Sequence, residues 1–198
     1  MRTNFLYEKK YEMPIIKPVY EITESELIGF NYARTVKEKK GKAVHFYLDD
    51  YQFERVWNTP ERNLNQLSAF DFVLSPDFSL FTDMPLPVQI YNCYRKNWCA
   101  AYWQSKGLTV IPTVGWADER TFDFCFNGLP QNSIVSVSSV GVMNNEGAKK
   151  MFLDGYNAMM EKLHPKQVLF YGSVPENIEG NITRIKPFYE SIKERRSE

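Results

Sequence analysis

The sequence predicts an α/β fold: a single α/β domain, 1–198, of about five mostly parallel strands alternating with helices. Three observations predict it. Five short apolar runs, Val44–Asp50, Ala69–Asp77, Leu108–Trp116, Ile134–Gly141 and Gln167–Ser173, each end in a small polar cluster. Most of the segments between them carry helical spacing or helix-capping signals, and strand–helix alternation implies right-handed βαβ units on a parallel sheet. The strands are also apolar on one alternating face and mixed on the other, whereas parallel strands covered by helices on both faces are apolar on both. Five units are too few for a full eight-fold barrel. A mixed face therefore favours a partial (β/α) barrel, with helices outside and a partly polar concave side, over an open doubly wound sheet.

Residues 1–22, with Pro14 and Pro18, read as an N-terminal extended arm. Thr23 and Glu26 have the spacing of a capping box, so a helix is expected over 24–39, burying Leu27, Phe30 and Ala33 or Arg34 and stopped by Gly41. The first strand then runs to Asp49. Asp50 can cap a short helix over 51–58, and another covers 61–67. The second strand is 70–74. After it, SPDFSLFTDMPLP holds three prolines and is too long for a tight βα loop; loops of that kind often carry function.

The longest helix is expected over 88–106, with Tyr91, Tyr94, Trp98, Ala101 and Tyr102 at helical spacing and Gly107 beyond its end. The third strand is 109–114. Over 119–127, Phe122, Phe124 and Phe126 alternate like a strand ahead of Asn127-Gly128, yet Asp118 can cap a helix with Phe122, Cys125, Phe126 and Leu129 on one face. The strand–helix order favours the helix. The fourth strand is 134–138. A helix from Asn144 or Asn145 follows, with Phe152, Tyr156, Met159 or Met160, and Leu163 as its stripe and Pro165 at its end. The fifth strand is 168–171. Residues 174–198 read as a C-terminal helical tail, its helix over 182–196.

Composition removes several functions. Lys plus Arg equals Asp plus Glu at 24 each, which argues against a non-specific nucleic-acid binder, since that needs a net basic face. Three cysteines without a C-x-x-C suggest neither a disulfide framework nor a zinc knuckle and fit a reducing cytoplasm. The N-terminus lacks the apolar core of a signal peptide, and no apolar run reaches membrane-spanning length. Aromatic residues, at 15%, are abundant enough for some rings to lie at a contact surface.

In such folds ligands bind beyond the carboxyl ends of the strands. That rule gathers Asp49, Asp50, Ser75, Asp77, Trp116, Asp118, Ser138, Ser139, Tyr171 and Ser173 at one rim. Its carboxylates could serve as acid and base, or hold Mg²⁺ through oxygen; no metal motif is present, and no cofactor is otherwise evident. Asp50, Asp77 and Asp118 also sit where helix caps belong. Asp71 lies inside a strand between Phe70 and Phe72, so it must be paired or have a raised pKa. His45 is either a satisfied core histidine or, across adjacent strands from Asp71, half of an acid–base pair; Asp71, His45 and Asp77 are the catalytic candidates. Arg55 and Arg95 would favour an anionic ligand if they converge on the rim. With Asp50, Trp116 and Ser138 they form the ligand-binding set. The aromatic helix is either core or a stacking surface. No P-loop, G-x-S-x-G or H-x-x-x-H motif occurs.

The strings HFYLDDYQFERVW, SPDFS, VIPTVGW, FDFCFNGLP, SIVSVSSVG and VLFYG together resemble a domain-of-unknown-function family of bacteria, their phages and plasmids. The resemblance spans roughly Phe30 to Gly172. It implies a mobile-element setting inside a bacterial host and no particular chemistry. Two functions are compatible with this reading. One is a pocket that binds or processes a small phosphorylated or nucleotide-like ligand. The other is a non-enzymatic phage-type factor that binds and modulates a host protein.

Overall fold

The computed structural model describes residues 4–176, 178–185 and 187. Among the described residues, seven strands pair in parallel in two sheets. The first sheet orders β1 (Glu26–Gly29), β2 (Lys42–His45), β3 (Phe72–Leu74) and β4 (Val110–Ile111) side by side. The second orders β5 (Ile134–Ser138), β6 (Gln167–Tyr171) and β7 (Ile182–Ile185). A single parallel bridge, Thr113 to Ser136, joins them. It is made by Val114 N donating to Ser136 O (2.8 Å) and Ser136 N donating to Pro112 O (2.9 Å).

Four α-helices among the described residues connect the strands: α1 (Arg55–Asn58), α2 (Leu64–Leu67), α3 (Leu86–Ser105) and α4 (Glu146–Leu163). They pack on one face. Val44, Phe46, Val73, Val110, Val135, Val137, Val168 and Phe170 meet Trp103, Cys99, Phe152, Tyr156 and Met159 there in the main core. Trp103 is fully buried between α3 and Phe46, rings 5.6 Å apart. Complete burial of such a side chain contributes about 2–3 kcal/mol or more from area alone. The opposite face is apolar toward the amino ends of the strands, where Ala43, Phe72, Leu74, Ile111, Ile134 and Leu169 cluster with Leu27, Ile185 and, from the N-terminal segment, Val19 and Ile22. Toward the carboxyl ends that face turns polar, with His45, Tyr47, Thr113, Ser136 and Ser138.

α4 begins and ends on local chemistry. Asn145 Oδ1 accepts from Ala148 N (2.9 Å), a cap that contributes about 1 kcal/mol. His164, a non-glycine residue at φ 45°, closes the last turn in the left-handed region, and Pro165 follows. The segment after Asp118 is helical, as expected, though only a 3₁₀ turn, Glu119–Thr121, followed by further turns.

Two expectations are corrected. The helix expected over 24–39 is instead β1 followed by a 3₁₀ turn at Phe30–Tyr32. Glu26 N donates to Gly41 O, and the strand lies in register with Lys42–His45, so sheet pairing overrides the capping-box signal. Ser25 and Glu26 turn to Asp71 and Lys42 and make no cap. The helical tail is contradicted where it can be seen: Ile182–Ile185 is an edge strand on β6, because Val168 N donates to Asn181 O and Gly172 N donates to Ile185 O. The rest of the expected tail helix lies outside the described residues, Pro187 apart. On β3 it is Val73 that meets the helices, while Phe72 and Leu74 lie on the opposite face.

Candidate functional site

Beyond β3 the chain is tied to β4 by two reciprocal bonds. Thr113 N donates to Ser75 Oγ and Thr113 Oγ1 donates to Ser75 O, both 2.8 Å. Pro76 follows and delivers Asp77. The next loop, 78–85, is strapped from several elements. Asp50 accepts from Ser79 N (3.2 Å) and Ser79 Oγ (2.8 Å), and Asn92 on α3 donates to Ser79 O (2.7 Å). Gln89 donates to Met84 O (2.8 Å) and Arg120 Nη2 to Thr82 O (2.8 Å). The long proline-rich loop is therefore a fixed wall.

That wall bounds a cavity of about 560 Å³, whose other sides come from Val114–Ala117 after β4, Ser138 and Val140 at the end of β5, and the first turns of α4. The size suits a small organic molecule. Trp116 forms one side, its ring 5.3 Å from Phe152 and 6.3 Å from Phe126. Gly155 makes room for it: a Cβ there would lie 2.2 Å from Trp116 Nε1.

Asp77 is half-buried in the lining. Among the described residues nothing donates a hydrogen bond to its carboxylate. Burial pushes its pKa up to about 7, with Lys96 opposing the rise and Asp50 adding to it. Lys96 is only 3% exposed, does not line the cavity, and has no hydrogen bond or ion pair among the described residues. The buried thiol of Cys93, on the same face of α3, is also raised by burial and sees both charges.

Behind Asp77 the polar face of the sheet carries an aromatic stack. Tyr47 lies on Tyr171 (4.9 Å), and His45 approaches Tyr171 at 4.6 Å. Ser136 Oγ donates to Leu169 O (3.0 Å), so the 2.7 Å contact with Tyr47 is the phenol donating to Ser136. Burial, then the Asp77 charge, holds the Tyr47 phenol well above its ordinary range. Burial lowers the His45 pKa to about 3, so its ring is neutral, with Nδ1 accepting from Tyr47 N (3.2 Å).

The structure separates the expected acid–base pair. Asp71 stands opposite Lys42, since its N–H donates to Lys42 O and Phe72 pairs with Ala43. His45 is three residues further along that strand, about 10 Å at strand spacing. Asp71 sits at the amino ends of the strands, partly exposed, accepting from Ser25 Oγ (2.7 Å). The two arginines do not converge either. Arg95 is buried over Phe78 (3.7 Å) and bound to Glu54 (2.6 Å), with Asp50 at 3.7 Å. Arg55 is exposed and lies over Phe30 (4.6 Å). Among the described residues, no lysine or arginine lines the cavity.

Asp77, Trp116 and Ser138 are brought together in the lining, and Asp50 supports it from behind through Ser79. Asp50 and Asp77 do not cap helices, but Asp118 does: it accepts from Arg120 N (3.1 Å) and is held below the usual carboxylate range mainly by the Arg120 guanidinium. No group of three or more His, Cys, Asp or Glu positioned to hold a metal occurs among the described residues. Sequence reasoning missed Lys96, Phe81 and Gly155. Lys96 had a signal: Cys93, Lys96, Ala100 and Trp103 share a helical face on which it alone is charged.

Among the described residues, no helix is long and apolar enough to cross a membrane. No solved structure matches the chain. Relatives by sequence include two phage proteins. The Gene 1 protein of Mycobacterium phage L5 is 40% identical over 176 residues, covering 88% of this chain and 76% of the phage protein. The Gene 1 protein of Mycobacterium phage D29 is 37% identical over 190 residues, covering 95% and 70%. The model of a domain of unknown function, DUF4417, matches residues 5–189. With nearly its whole length matched and phage proteins among its relatives, the chain belongs to the DUF4417 family.

Proposed function

We propose that this phage-type protein is a small-molecule pocket, binding or processing an organic ligand at the carboxyl ends of its strands, inside the host cytoplasm. One observation carries the reading: a half-buried carboxylate, Asp77, without a hydrogen-bond donor among the described residues, in the lining of a cavity of about 560 Å³. A desolvated, unpartnered acid costs stability unless function retains it. Its pKa of about 7 suits a group that exchanges a proton near neutrality. Ser138 and Trp116 supply a hydroxyl and an aromatic wall.

The architecture we propose is the partial barrel. Seven parallel strands follow in sequence order, with the Thr113–Ser136 bridge between the sheets and an apolar cluster running from Leu27 on β1 to Ile185 on β7; these support a curved sheet. A phosphate-bearing ligand has less support than an organic one, because Arg95 is committed to Glu54 and, among the described residues, no cation lies in the lining.

The reading is tested by thermal shift on the full chain against nucleosides, sugars, amines and their phosphates. A ligand that raises the melting temperature of the wild type and not of Asp77→Asn supports it. Failure of every class to shift the wild type sinks it.

A second reading, a factor that docks on a host protein, has its own observation. Leu6 (77% exposed), Val88 (43%) and Tyr91 (47%) are surface apolar residues around an aromatic strip, with Tyr91 held by Trp57 Nε1 at 3.0 Å and Phe5 packed on Trp98. Affinity purification from bacterial cells should then recover a stoichiometric partner that Leu6→Glu with Tyr91→Glu abolishes.

A further inference from the structure

We infer that the ligand of the carboxyl-end cavity is an organic cation, a protonated amine on a flat apolar body, seated with its charge against Asp77. The inference rests on the pocket reading above and names the chemical class of its ligand.

The charge inventory points this way. Asp77 belongs to a cluster of three carboxylates, with Asp50 and Glu54, set against two cations, Arg95 and Lys96. One negative charge is in excess. Arg95 satisfies Glu54 and Asp50, and Lys96 stands behind Asp77 without lining the cavity. A proton on Asp77 balances the cluster, and so does a cation arriving from the cavity. The rim has the same sign. Asp83 is exposed on it. An adjoining hollow of about 360 Å³, sharing Met151, adds Asp118, Glu119 and Asp154. Among the described residues Arg120 neutralises Asp118 (2.7 Å) and Lys150 neutralises Asp154 (2.7 Å), which leaves the charge of Glu119 in excess there. Clefts lined by one sign of charge concentrate ligands of the other.

The walls suit the remainder of such a molecule. Phe81, Trp116 and Phe152 offer aromatic faces, which attract cations and stack on flat groups. An anion would meet Asp77 and Asp83 with no positive side chain among the described residues of the lining, a juxtaposition that works against binding.

Isothermal titration of the full chain at pH 8, with tryptophan fluorescence as a second readout, tests this. The probes are aryl-alkyl amines, such as phenethylamine and tryptamine, each matched with its alcohol and its carboxylate. The amines should bind at least about tenfold more tightly than the matched alcohols, and the carboxylates more weakly than either. Asp77→Asn should bring amine and alcohol within about threefold of each other, and the exposed Asp83→Asn should weaken the amines by about two- to threefold with the fold undisturbed. Alcohols or carboxylates that bind as well as the amines, or an amine preference that survives Asp77→Asn, overturn the cation inference and leave the pocket standing. A panel in which no member of any charge binds overturns both.

Discussion

Asp71 and Asp77 flank the same short strand, β3, and behave as opposites. Asp71, at the amino end, accepts from Ser25 and is partly exposed beside two smaller hollows of about 270 and 300 Å³. Asp77, at the carboxyl end, has no donor among the described residues and lies in a cavity lining. The aromatic neighbours of Asp71 in sequence made it the more suspect of the two. The folded chain reverses that order, because desolvation depends on what packs around a carboxylate in space and not on its chain neighbours.

The largest expected effect separates the two acids by pH. The Asp77 pKa is raised, from 3.8 to about 7, so the folded state holds an extra proton between those values. Its contribution is intact below pH 4 and is lost as pH rises to about 7. Asp77→Asn should therefore stabilise the protein at pH 8 by about 2–4 kcal/mol, the lower figure allowing for solvent in the cavity, and by little at pH 4. His45 runs the other way. Its pKa is lowered to about 3, so its contribution is intact above pH 6.5 and is lost as pH falls toward 3. The two slopes oppose each other from about pH 4 to pH 6.5. Urea unfolding across that range should be flat in these two groups for the wild type. For Asp77→Asn, stability should rise by about 1.4 kcal/mol per pH unit. An equal pH response of Asp71→Asn and Asp77→Asn would erase the contrast.

The second effect tests whether the cavity wall is held from behind. Arg95→Met leaves Glu54 and Asp50 without their cation and should cost about 2 kcal/mol, discounted for the partial exposure of both acids. Loop 78–85 should become more accessible to proteolysis or amide exchange, since Asp50 also holds Ser79. Smaller still is Gly155→Ala. Its methyl group meets the Trp116 indole and should cost about 1–2 kcal/mol by overpacking, read as a shifted tryptophan emission together with a lower melting temperature. Least of all is Asp71→Asn, which alters one partly exposed hydrogen bond and should change stability by about 1 kcal/mol or less. A cost from Asp71→Asn that exceeds that of Arg95→Met would mean that the amino end is the stressed one.

Local patterns located most of the scaffold. The run 134–138 became β5 with both boundaries as expected, and Asn145 capped α4, because apolar alternation and capping chemistry act within a few residues. β1 failed this logic: Thr23 and Glu26 spell a helix start, and only the neighbouring Lys42–His45 strand makes the segment extended. Trp116, Asp77 and Ser138 were legible as residues of one rim because each lies at or just beyond the end of a strand run. Arg95 was visible as a charge but not as a spent one, since Glu54, 41 residues away in sequence, takes it. Lys96 was overlooked among the aromatic residues of α3.

By itself the sequence determined the alternation of strands and helices, the polar residues at the carboxyl ends of the strands, and the absence of a net charge. These follow from period and composition, which are local or additive. Only the tertiary structure decided which carboxylate is desolvated, which arginines are already neutralised, and that Gly155 admits the indole forming the cavity side. Those are pairwise facts between residues distant along the chain, set by packing, and no window of sequence contains them.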